Sequence, residues 1–553
     1  MCYHRGNAFA YLVILGSRTG IHGPYRNRSA DRQCRRSALP KEARVCRGFA
    51  CGGSQMQKYL ATAFALLVIG FGVVAEEGGP APQPIPPKPL SAPPPVTLQT
   101  PGPSQWLFDH PYYTCTRNFY VATNGSNSNS GTMADSAWLT LQRANYSALV
   151  AGDCVNVAPG TYRNGVNLTK GGNNAAANGY VTYRCTQLDA CIITDALAAF
   201  TIQGAGASAK YIIIDGFELA ASSSVAYGQG IKIWDGSGDN RFTTHHIWLI
   251  NNIVHDYGQS GIQINDGEFY NVLHNRTYGN SRHTCDARGS GISMGFLKQI
   301  PGGYTLTTDD LVNPQPMIGT MMPFRNLVAW NIAYNNNVDG CNQSDGNGLI
   351  MDHFDIGGVM YPYRSLVAFN IMYNNGGSGL DVFVTDHITA ANNSTFNDSL
   401  LAGYNATGRA EMQWHSGDTA QIDNNFFNNI AMAIPGSGNL AANATYIFED
   451  RFGSHAGSDG GITSNVSIGP LSYGSSQFSC STNKCNASKA QYYVNVGNTS
   501  NGTMDAPPNG ANFALPAGSP AIGYGLSRSY LSSQSVDAGA CYHTLIQCGV
   551  INQ

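Results

Sequence analysis

The sequence predicts an all-β fold: a right-handed parallel β-helix with a helical cap at its N-terminal end and a second cap at its C-terminal end. Between about residues 245 and 430 the chain repeats a unit of alternating strand, Asn turn, polar loop and second alternating strand. The glycines that begin the second strands recur at nearly constant intervals. Only 12% of the residues are charged and 64 are Gly, which suits stacked strands and tight turns better than surface helices.

The first 75 residues have the features of an export signal preceded by an extension. Residues 1–55 contain nine Arg and one Lys without periodicity, and we interpret them as an upstream extension before a true start at Met56. Residues 56–75 join Lys58 to an apolar run that ends in small residues, which predicts a secretory signal cleaved near Ala75. A genuine extension followed by a membrane anchor is the alternative, although the apolar run is at the short limit for spanning a bilayer.

The segment 76–105 is rich in proline and predicts an extended linker that cannot pack a core. The β-helix domain is therefore expected to occupy residues 106–553. Without residues 1–75 the chain has 20 Lys and Arg against 32 Asp and Glu, a net charge near −12. That balance argues against a nucleic-acid partner. A neutral glycan, or an anionic one held through a divalent cation, stays open, and we expect a secreted monomer.

Ten cysteines follow the predicted signal, and an even number in an exported chain predicts disulfides. The pairs closest in sequence are Cys185 with Cys191, Cys480 with Cys485, and Cys541 with Cys548. A zinc site is the weaker interpretation, because no CxxC occurs and no His joins a tight group of cysteines.

Residues 119–163, "FYVATNGSNSNSGTMADSAWLTLQRANYSALVAGDCVNVAPGTYR", predict a strand, a polar loop, a short helix around Leu139–Leu149, a tight turn at Gly152 and a strand ending in "PGTY". This stretch resembles the N-terminal cap and first coil of the pectin-lyase-like superfamily of right-handed parallel β-helix proteins. The resemblance implies the fold and an extracellular polysaccharide partner. It specifies no reaction, because neither the calcium-binding Asp clusters of the lyases nor the paired-Asp and His-Gly motifs of polygalacturonase-like hydrolases match this sequence.

The second strands can be aligned on a leading residue at offsets of 31, 30, 57, 31 and 30 residues. The aligned residues are Gly230, Gly261, Gly291, Gly348, Gly379 and Arg409. The long step contains an insertion at 297–324, which we expect to wall a binding cleft. A β-propeller is less suitable, because its repeats are about 40 residues or longer. Residues 431–553 are expected to complete the last coils and the C-terminal cap.

The first strands end in a recurring asparagine, which predicts a ladder of stacked amides inside one turn. Its expected members are Asn252, Asn275, Asn331, Asn370, Asn393 and Asn425.

Alternation in the second strands predicts which side chains face the solvent. One expected outward row is Lys232, Gln263, Ser293, Ile350, Asp381 and Glu411, and the other is Trp234, Asn265, Gly295, Asp352, Phe383 and Gln413. Adjacent coils would then bring Asp352, Asp381 and Glu411 together, with Trp414 and His353 nearby. Lys232, Trp234, Gln263, Asn265 and Trp414 are the expected substrate-binding residues.

Three converging carboxylates could serve either of two chemistries. They could hold a calcium ion that neutralises a uronate and acidifies its α-proton for β-elimination, with His353 or Arg288 as the base. Alternatively, they could supply the acid and the nucleophile or base of a glycoside hydrolase. The carboxylates could also be ordinary solvated residues of the sheet face in a surface polysaccharide-binding protein or adhesin. We expect a secreted polysaccharide lyase acting on a uronate-containing polysaccharide, with the hydrolase and the binding protein as alternatives.

Overall fold

The computed structural model describes residues 113–194, 196–203, 209–222, 227–234, 244–282, 289–300, 324–336, 345–356, 359–400, 410–415, 422–432, 446–450, 455–456, 462–468, 480–487, 515, 519–522, 524 and 539. The predicted extension, signal and linker lie outside these residues, so the domain boundaries stay predictions. No helix of the described residues is long and apolar enough to cross a membrane.

Three parallel sheets, A, B and C, run the length of the described chain, and consecutive strands pass from one sheet to the next. Sheet A contains β1 (Arg117–Val121), β2 (Asp153–Val157), β5 (Val181–Cys185), β8 (Ile212–Asp215), β11 (His245–Ile250), β14 (Glu268–Leu273), β17 (Phe324–Ala329), β22 (Arg364–Ala368), β25 (Ile388–Ala391) and β28 (Ile422–Phe427), with β31 (His455–Ala456) and β32 (Ile462–Thr463) both beside β28.

Sheet B contains β3 (Gly160–Arg163), β6 (Cys191–Thr194), β9 (Phe217–Ala220), β12 (Ile253–His255), β15 (Arg276–Tyr278), β18 (Ile332–Tyr334), β23 (Ile371–Tyr373), β26 (Ser394–Phe396), β29 (Ile430–Met432), β33 (Val466–Ile468) and β34 (Lys484–Ala487). Sheet C contains β4 (Val166–Leu168), β7 (Phe200–Gln203), β10 (Ile231–Trp234), β13 (Ile262–Asn265), β16 (Ile292–Gly295), β19 (Leu349–Asp352), β24 (Leu380–Phe383), β27 (Ala410–His415) and β30 (Tyr446–Asp450).

This succession of three parallel sheets is the predicted right-handed parallel β-helix. A short antiparallel hairpin, β20 (Asp355–Ile356) with β21 (Val359–Met360), interrupts the connection between β19 and β22. The N-terminal cap contains a 3₁₀ turn (Ala134–Ser136) and α1 (Leu141–Tyr146), which confirms the predicted short helix. The Thr140 side chain caps α1 by accepting a hydrogen bond from the Arg143 N–H at 3.1 Å.

Disulfides join Cys185 to Cys191 and Cys480 to Cys485, as the spacing predicted, and a third bridge joins Cys115 to Cys154. The predicted pair Cys541 and Cys548 lies outside the described residues.

The inward positions of sheet C form a continuous apolar core, as the alternation predicted. Ile231, Ile233, Ile262, Ile264, Ile292, Met294, Leu349, Met351, Leu380 and Val382 are all at most 1% exposed. Facing strands of the other two sheets supply Ile, Val, Leu and aromatic side chains to the same core.

Two amide ladders line the corners of the β-helix on either side of sheet B. The first, between sheets A and B, runs through Asn252, Asn275, Asn331, Asn370, Asn393, Asn429, Asn465 and Asn483, and each Nδ2 donates to the Oδ1 of the next residue at 3.0–3.1 Å. The prediction of Asn425 as a member was wrong, because Asn425 lies within β28, where it pairs with Thr389. The ladder member in this coil is Asn429, the second residue after β28.

The second ladder, between sheets B and C, consists of Asn280, Asn336, Asn375 and Asp398. It explains why glycine recurs at the start of the sheet C strands. A Cβ atom on Gly291 would lie 2.6 Å from the Nδ2 of Asn336, and one on Gly348 would lie 2.8 Å from the Nδ2 of Asn375. A side chain at these positions would therefore collide with the ladder.

Candidate functional site

The outward face of sheet C presents two rows of side chains that differ from coil to coil. The register places Lys232 beside Gln263, Gln263 beside Ser293, Ser293 beside Ile350, and Ile350 beside Asp381. In the second row Asn265 lies beside Gly295, Gly295 beside Asp352, and Asp352 beside Phe383. The predicted order therefore holds as far as β24.

At the N-terminal part of this face, Trp234 is 42% exposed. The Nζ atom of Lys232 lies 4.9 Å from the centroid of its ring, a cation–π contact. An exposed aromatic ring beside an ammonium group suits a ligand with both apolar sugar faces and negative charge. The two predicted binding residues thus share one surface.

The next two coils carry a network of neutral polar groups. Gln263 accepts a hydrogen bond from Ser260 Oγ at 2.8 Å and donates through Nε2 to Asn265 Oδ1 at 2.8 Å and to Ser293 Oγ at 3.1 Å. Because these bonds hold the amides in place, the network presents polar atoms to solvent in a fixed arrangement.

Further along the face, Asp352 and His353 form the most exposed ionisable pair of the site. The Nδ1 atom of His353 lies 2.5 Å from Oδ1 of Asp352, and the side chains are 38% and 24% exposed. The hydrogen bond to Asp352 raises the pKa of His353, although partial burial opposes this shift. A carboxylate that holds one imidazole nitrogen leaves the other nitrogen to exchange a proton with a ligand.

Two aromatic rings flank this pair. Phe296, 37% exposed, stacks on the His353 ring with centroids 5.4 Å apart, and Phe383 contacts the same ring edge-on at 4.8 Å. The sequence placed Phe383 on the outward face but did not identify Phe296 as part of the site. Phe296 lies between β16 and the insertion that begins at residue 297, which is the signal that could have identified it.

Asp381 lies in the first row between Ile350 and Gln413 and is only 5% exposed. It is therefore close to Asp352 in the sheet but is largely covered.

Glu411 does not join Asp381, so the predicted group of three carboxylates was wrong. Asp381 pairs with Gln413 rather than with Glu411, because β27 enters sheet C two residues later than an offset of 30 residues predicts. The shift is even, so the inward and outward alternation survives and only the neighbours change. Glu411 is 2% exposed and accepts a hydrogen bond from the N–H of Asp398 at 2.9 Å.

The predicted role of Trp414 in substrate binding was also wrong. Trp414 pairs with Val382, an inward residue, and is 2% exposed within the core, where its ring lies 5.1 Å from that of Phe426. The alternation of β27 already assigned this side chain to the interior. Arg288 lies outside the described residues.

In the described part of the chain, no group of three His, Cys, Asp or Glu side chains is close enough to hold a metal ion. The residues predicted to bind calcium thus do not assemble into the expected ligand set. Calcium stays a prediction without a defined site.

The sequence also missed a buried ionic cluster around Glu268. Glu268 accepts hydrogen bonds from Arg325 Nη1 at 2.8 and 2.9 Å, from the Tyr361 hydroxyl at 3.0 Å and from the Ile300 N–H at 2.8 Å. It joins the start of the insertion after β16 to the segment that follows the β20–β21 hairpin. Phe296, just before the insertion, stacks on His353, and Tyr361 contacts Phe354, the residue after His353.

No family model and no curated protein matches this sequence. Among solved structures, the chain is similar to the pectate lyase Pel9A, with 17% identity, a TM-score of 0.44 and coverage of 78% of this chain and 97% of that one. It is similar to XylC in complex with xylose at 10% identity and a TM-score of 0.40, covering 69% and 88%. It is also similar to the A-module of the mannuronan C-5 epimerase AlgE4 of Azotobacter vinelandii, with 13% identity, a TM-score of 0.29 and coverage of 62% of this chain and 91% of that one.

The three parallel sheets and the ladders at their corners are the chain's own evidence for its class. The chain is a right-handed parallel β-helix protein, as the resemblance of its N-terminal cap to the pectin-lyase-like superfamily implied.

Proposed function

We propose that this protein is a secreted carbohydrate-active enzyme that cleaves an acidic, uronate-containing polysaccharide by β-elimination on the outward face of sheet C. The observation that carries the proposal is the Asp352–His353 pair, an exposed and oriented imidazole flanked by Phe296 and Phe383 on a face that also carries Lys232 and Trp234. Export and the polysaccharide partner belong to the same proposal.

In this mechanism the neutral imidazole of His353 takes the proton at C5 of the uronate. The electron pair of that C–H bond forms the C4=C5 double bond, the C4–O bond breaks, and the leaving oxygen receives a proton from the resulting imidazolium or from solvent. Asp352 fixes the ring and stabilises the imidazolium that forms.

Lys232 lies three strands across the sheet from Asp352 and two residues along the strand, about 16 Å at ordinary strand spacing. It is therefore assigned to a different sugar residue from the one that reacts.

The test is a panel of acidic polysaccharides incubated with the full chain, with and without calcium and with a chelator. Elimination yields an unsaturated uronate end that absorbs in the ultraviolet. His353→Ala is expected to lower kcat/KM by about 10²–10⁴-fold, the usual contribution of a positioned acid or base. His274→Gln is the matched control, because this imidazole stacks on Trp330 at the corner between sheets A and B, away from the site.

The pH profile provides an independent test. Because the pKa of His353 is raised and the base must be neutral, kcat/KM should increase with pH through a pKa above the ordinary value of 6.5. Asp352→Asn should move this increase to lower pH, since it removes the charge that stabilises the imidazolium.

A glycoside hydrolase is the second candidate, and the register of Asp352 and Asp381 favours it. The two residues lie on adjacent strands, two positions apart, and both side chains belong to the outward rows. A pair of carboxyl groups on one face is what an acid and a base of glycoside hydrolysis require. New reducing ends without the unsaturated product would support hydrolysis, and binding without turnover would support a surface binding protein. Either result would overturn elimination.

A further inference from the structure

The second ladder ends in an acid where the first ladder continues with amides. In Asn280, Asn336 and Asn375 the Nδ2 group donates to the Oδ1 of the next member at 2.8–3.1 Å and to a backbone carbonyl of an earlier coil at 3.0–3.4 Å. Each amide therefore uses both donors and its acceptor. Asp398 replaces the fourth amide and has no NH2 group to continue this pattern.

Asp398 is nonetheless fully enclosed. It is 2% exposed, and its Oδ1 accepts two hydrogen bonds from Asn375, from the backbone N–H and from Nδ2, both at 2.8 Å. The Asp398 N–H, which in an amide ladder would donate to the next asparagine, donates instead to Oε1 of Glu411 at 2.9 Å. Glu411 thus supplies the acceptor of the missing ladder member.

The two remaining carboxyl oxygens, Oδ2 of Asp398 and Oε2 of Glu411, are buried, and neither has a hydrogen bond of ordinary geometry from the described residues. The closest donors are the Phe396 N–H, beside Asp398, and the Thr395 hydroxyl, beside Glu411, and each lowers the pKa of its carboxyl less than burial raises it. No described Lys, Arg or His forms a salt bridge with either residue. Two carboxylates buried side by side repel each other, whereas one proton on either carboxyl provides a hydrogen-bond donor between them.

Among the described residues, the other groups that face the pair are neutral at physiological pH. They are the Asn375 amide, the Thr395 hydroxyl, which faces Glu411, and the phenol of Tyr373, which interacts electrostatically with Asp398. Burial raises the pKa of Asp398 to about 7, and burial together with the neighbouring Asp398 raises the pKa of Glu411 well above its ordinary value.

We propose that Asp398 and Glu411 form a proton-sharing latch that holds the end of the second ladder against β27 and loosens as the pH rises. The latch is independent of the proposed function. It lies next to the candidate site, however, because β27 begins at the latch and carries Gln413, the register partner of Asp381.

The direction of the pH effect follows from the raised pKa values. When the latch opens, the carboxyls regain ordinary pKa values near 4. Between about pH 4 and the raised values, the open form loses a proton that the closed form keeps. The equilibrium constant for opening should therefore increase up to about tenfold per pH unit across this window and level off above it. Stability at the latch is complete in acid and is lost as the pH rises.

Hydrogen exchange of the full chain, resolved to single amides and corrected for the intrinsic effect of pH, tests this proposal. The reporters are the Asn375 N–H and the Asp398 N–H. The internal control is the Asn370 N–H, which donates to Asn393 Oδ1 at 3.0 Å in the uncharged first ladder. From pH 5 to pH 7, protection of the two reporters should fall by about tenfold or more relative to Asn370.

Asp398→Asn restores the amide of a complete ladder and removes one of the two acids, so it should reduce this pH dependence, with reporter protection at pH 8 above that of the natural chain. Glu411→Gln keeps an acceptor for the Asp398 N–H while removing one acid, and should reduce the dependence. Equal pH responses at Asn370 and Asn375, or an unchanged response in either variant, would overturn the latch. Loss of ultraviolet product formation in the substrate panel would not affect this readout, so failure of the proposed function is distinguished from failure of the latch.

Discussion

Two corners of this β-helix turn the chain by different means. The ladder corner, between sheets A and B, uses one asparagine in each coil from Asn252 to Asn483, and every member before Asn483 donates to the next in the same way. The cleft corner, between sheets C and A, uses different contacts in each coil, among them the Glu268–Arg325 pair, the β20–β21 hairpin and the Arg364–Asp423 pair.

This difference indicates at which corner the fold can accept connecting segments of different length. A repeated ladder requires coils of constant geometry, because each amide must meet the next at hydrogen-bond distance. A corner built from individual contacts can accept segments of different length, provided that each segment is anchored. The segments that border His353 enter at the cleft corner, and Glu268 anchors two of them.

The largest expected effect is at the cleft corner. Glu268→Gln leaves Arg325, 4% exposed, without its carboxylate partner, and should lower the free energy of unfolding by about 3–5 kcal/mol. Urea unfolding measures this loss. The double variant Glu268→Gln, Arg325→Met should recover part of it, because both charges are then absent. A loss below about 1 kcal/mol would contradict a role for the ion pair as an anchor.

Substitution of a ladder asparagine should lower the free energy of unfolding by less than the change at Glu268, and a similar loss is expected at each coil of the ladder. Asn331→Ala removes the acceptor of the Asn275 N–H and Nδ2 and the donor to Val272 O and Asn370 Oδ1. The unpaired buried groups should cost about 2–3 kcal/mol in urea unfolding. Asn265→Ala on the outward face is the matched control and should change stability by no more than about 0.5 kcal/mol. Equal losses in the two variants would remove the distinction between ladder and surface asparagines.

A smaller effect on stability is expected when the pH is lowered, at the Arg364–Asp423 pair. Burial raises the pKa of Asp423, but hydrogen bonds from His387 and Arg364 outweigh it and hold the pKa below its ordinary value. Its stabilising contribution is therefore complete above about pH 4 and is lost as the pH falls below that value. Between pH 5 and pH 2.5, Asp423→Asn should lose less in Tm than the natural chain, by about 2 °C. Identical Tm profiles would show that this ion pair contributes nothing.

The smallest effect on stability is expected where the cleft corner meets the candidate site. Phe296→Ala removes an exposed ring and should change the free energy of unfolding by no more than about 0.5 kcal/mol. If the ring contacts the sugar, KM should increase about 3–10-fold, as expected for one aromatic contact. Leu197→Ala is the control, an exposed apolar residue that is 68% accessible and lies outside the site. An unchanged KM would remove Phe296 from the site.

Sequence alternation was sufficient to predict the core and the outward rows as far as β24. The reason is that the two-residue period within a strand does not depend on the length of the connecting loops. It failed at Glu411, where the connection before β27 shifts the register by two residues. Trp414 was misassigned even though the alternation of its own strand placed it inward. Phe296 and the contacts of Glu268 were not predicted, since they join residues of different coils through turns without a repeating pattern.

The sequence by itself determined the class of fold, the apolar interior of sheet C, two of the disulfides and most members of the first ladder, because each depends on residues that recur at a regular spacing. Only the tertiary structure decided which carboxyl groups meet. It placed Asp352 against His353 at the surface and Glu411 against Asp398 in the interior. The physical reason is that a local pattern fixes the direction of a side chain, whereas its neighbour across strands depends on the length and path of the whole coil between them.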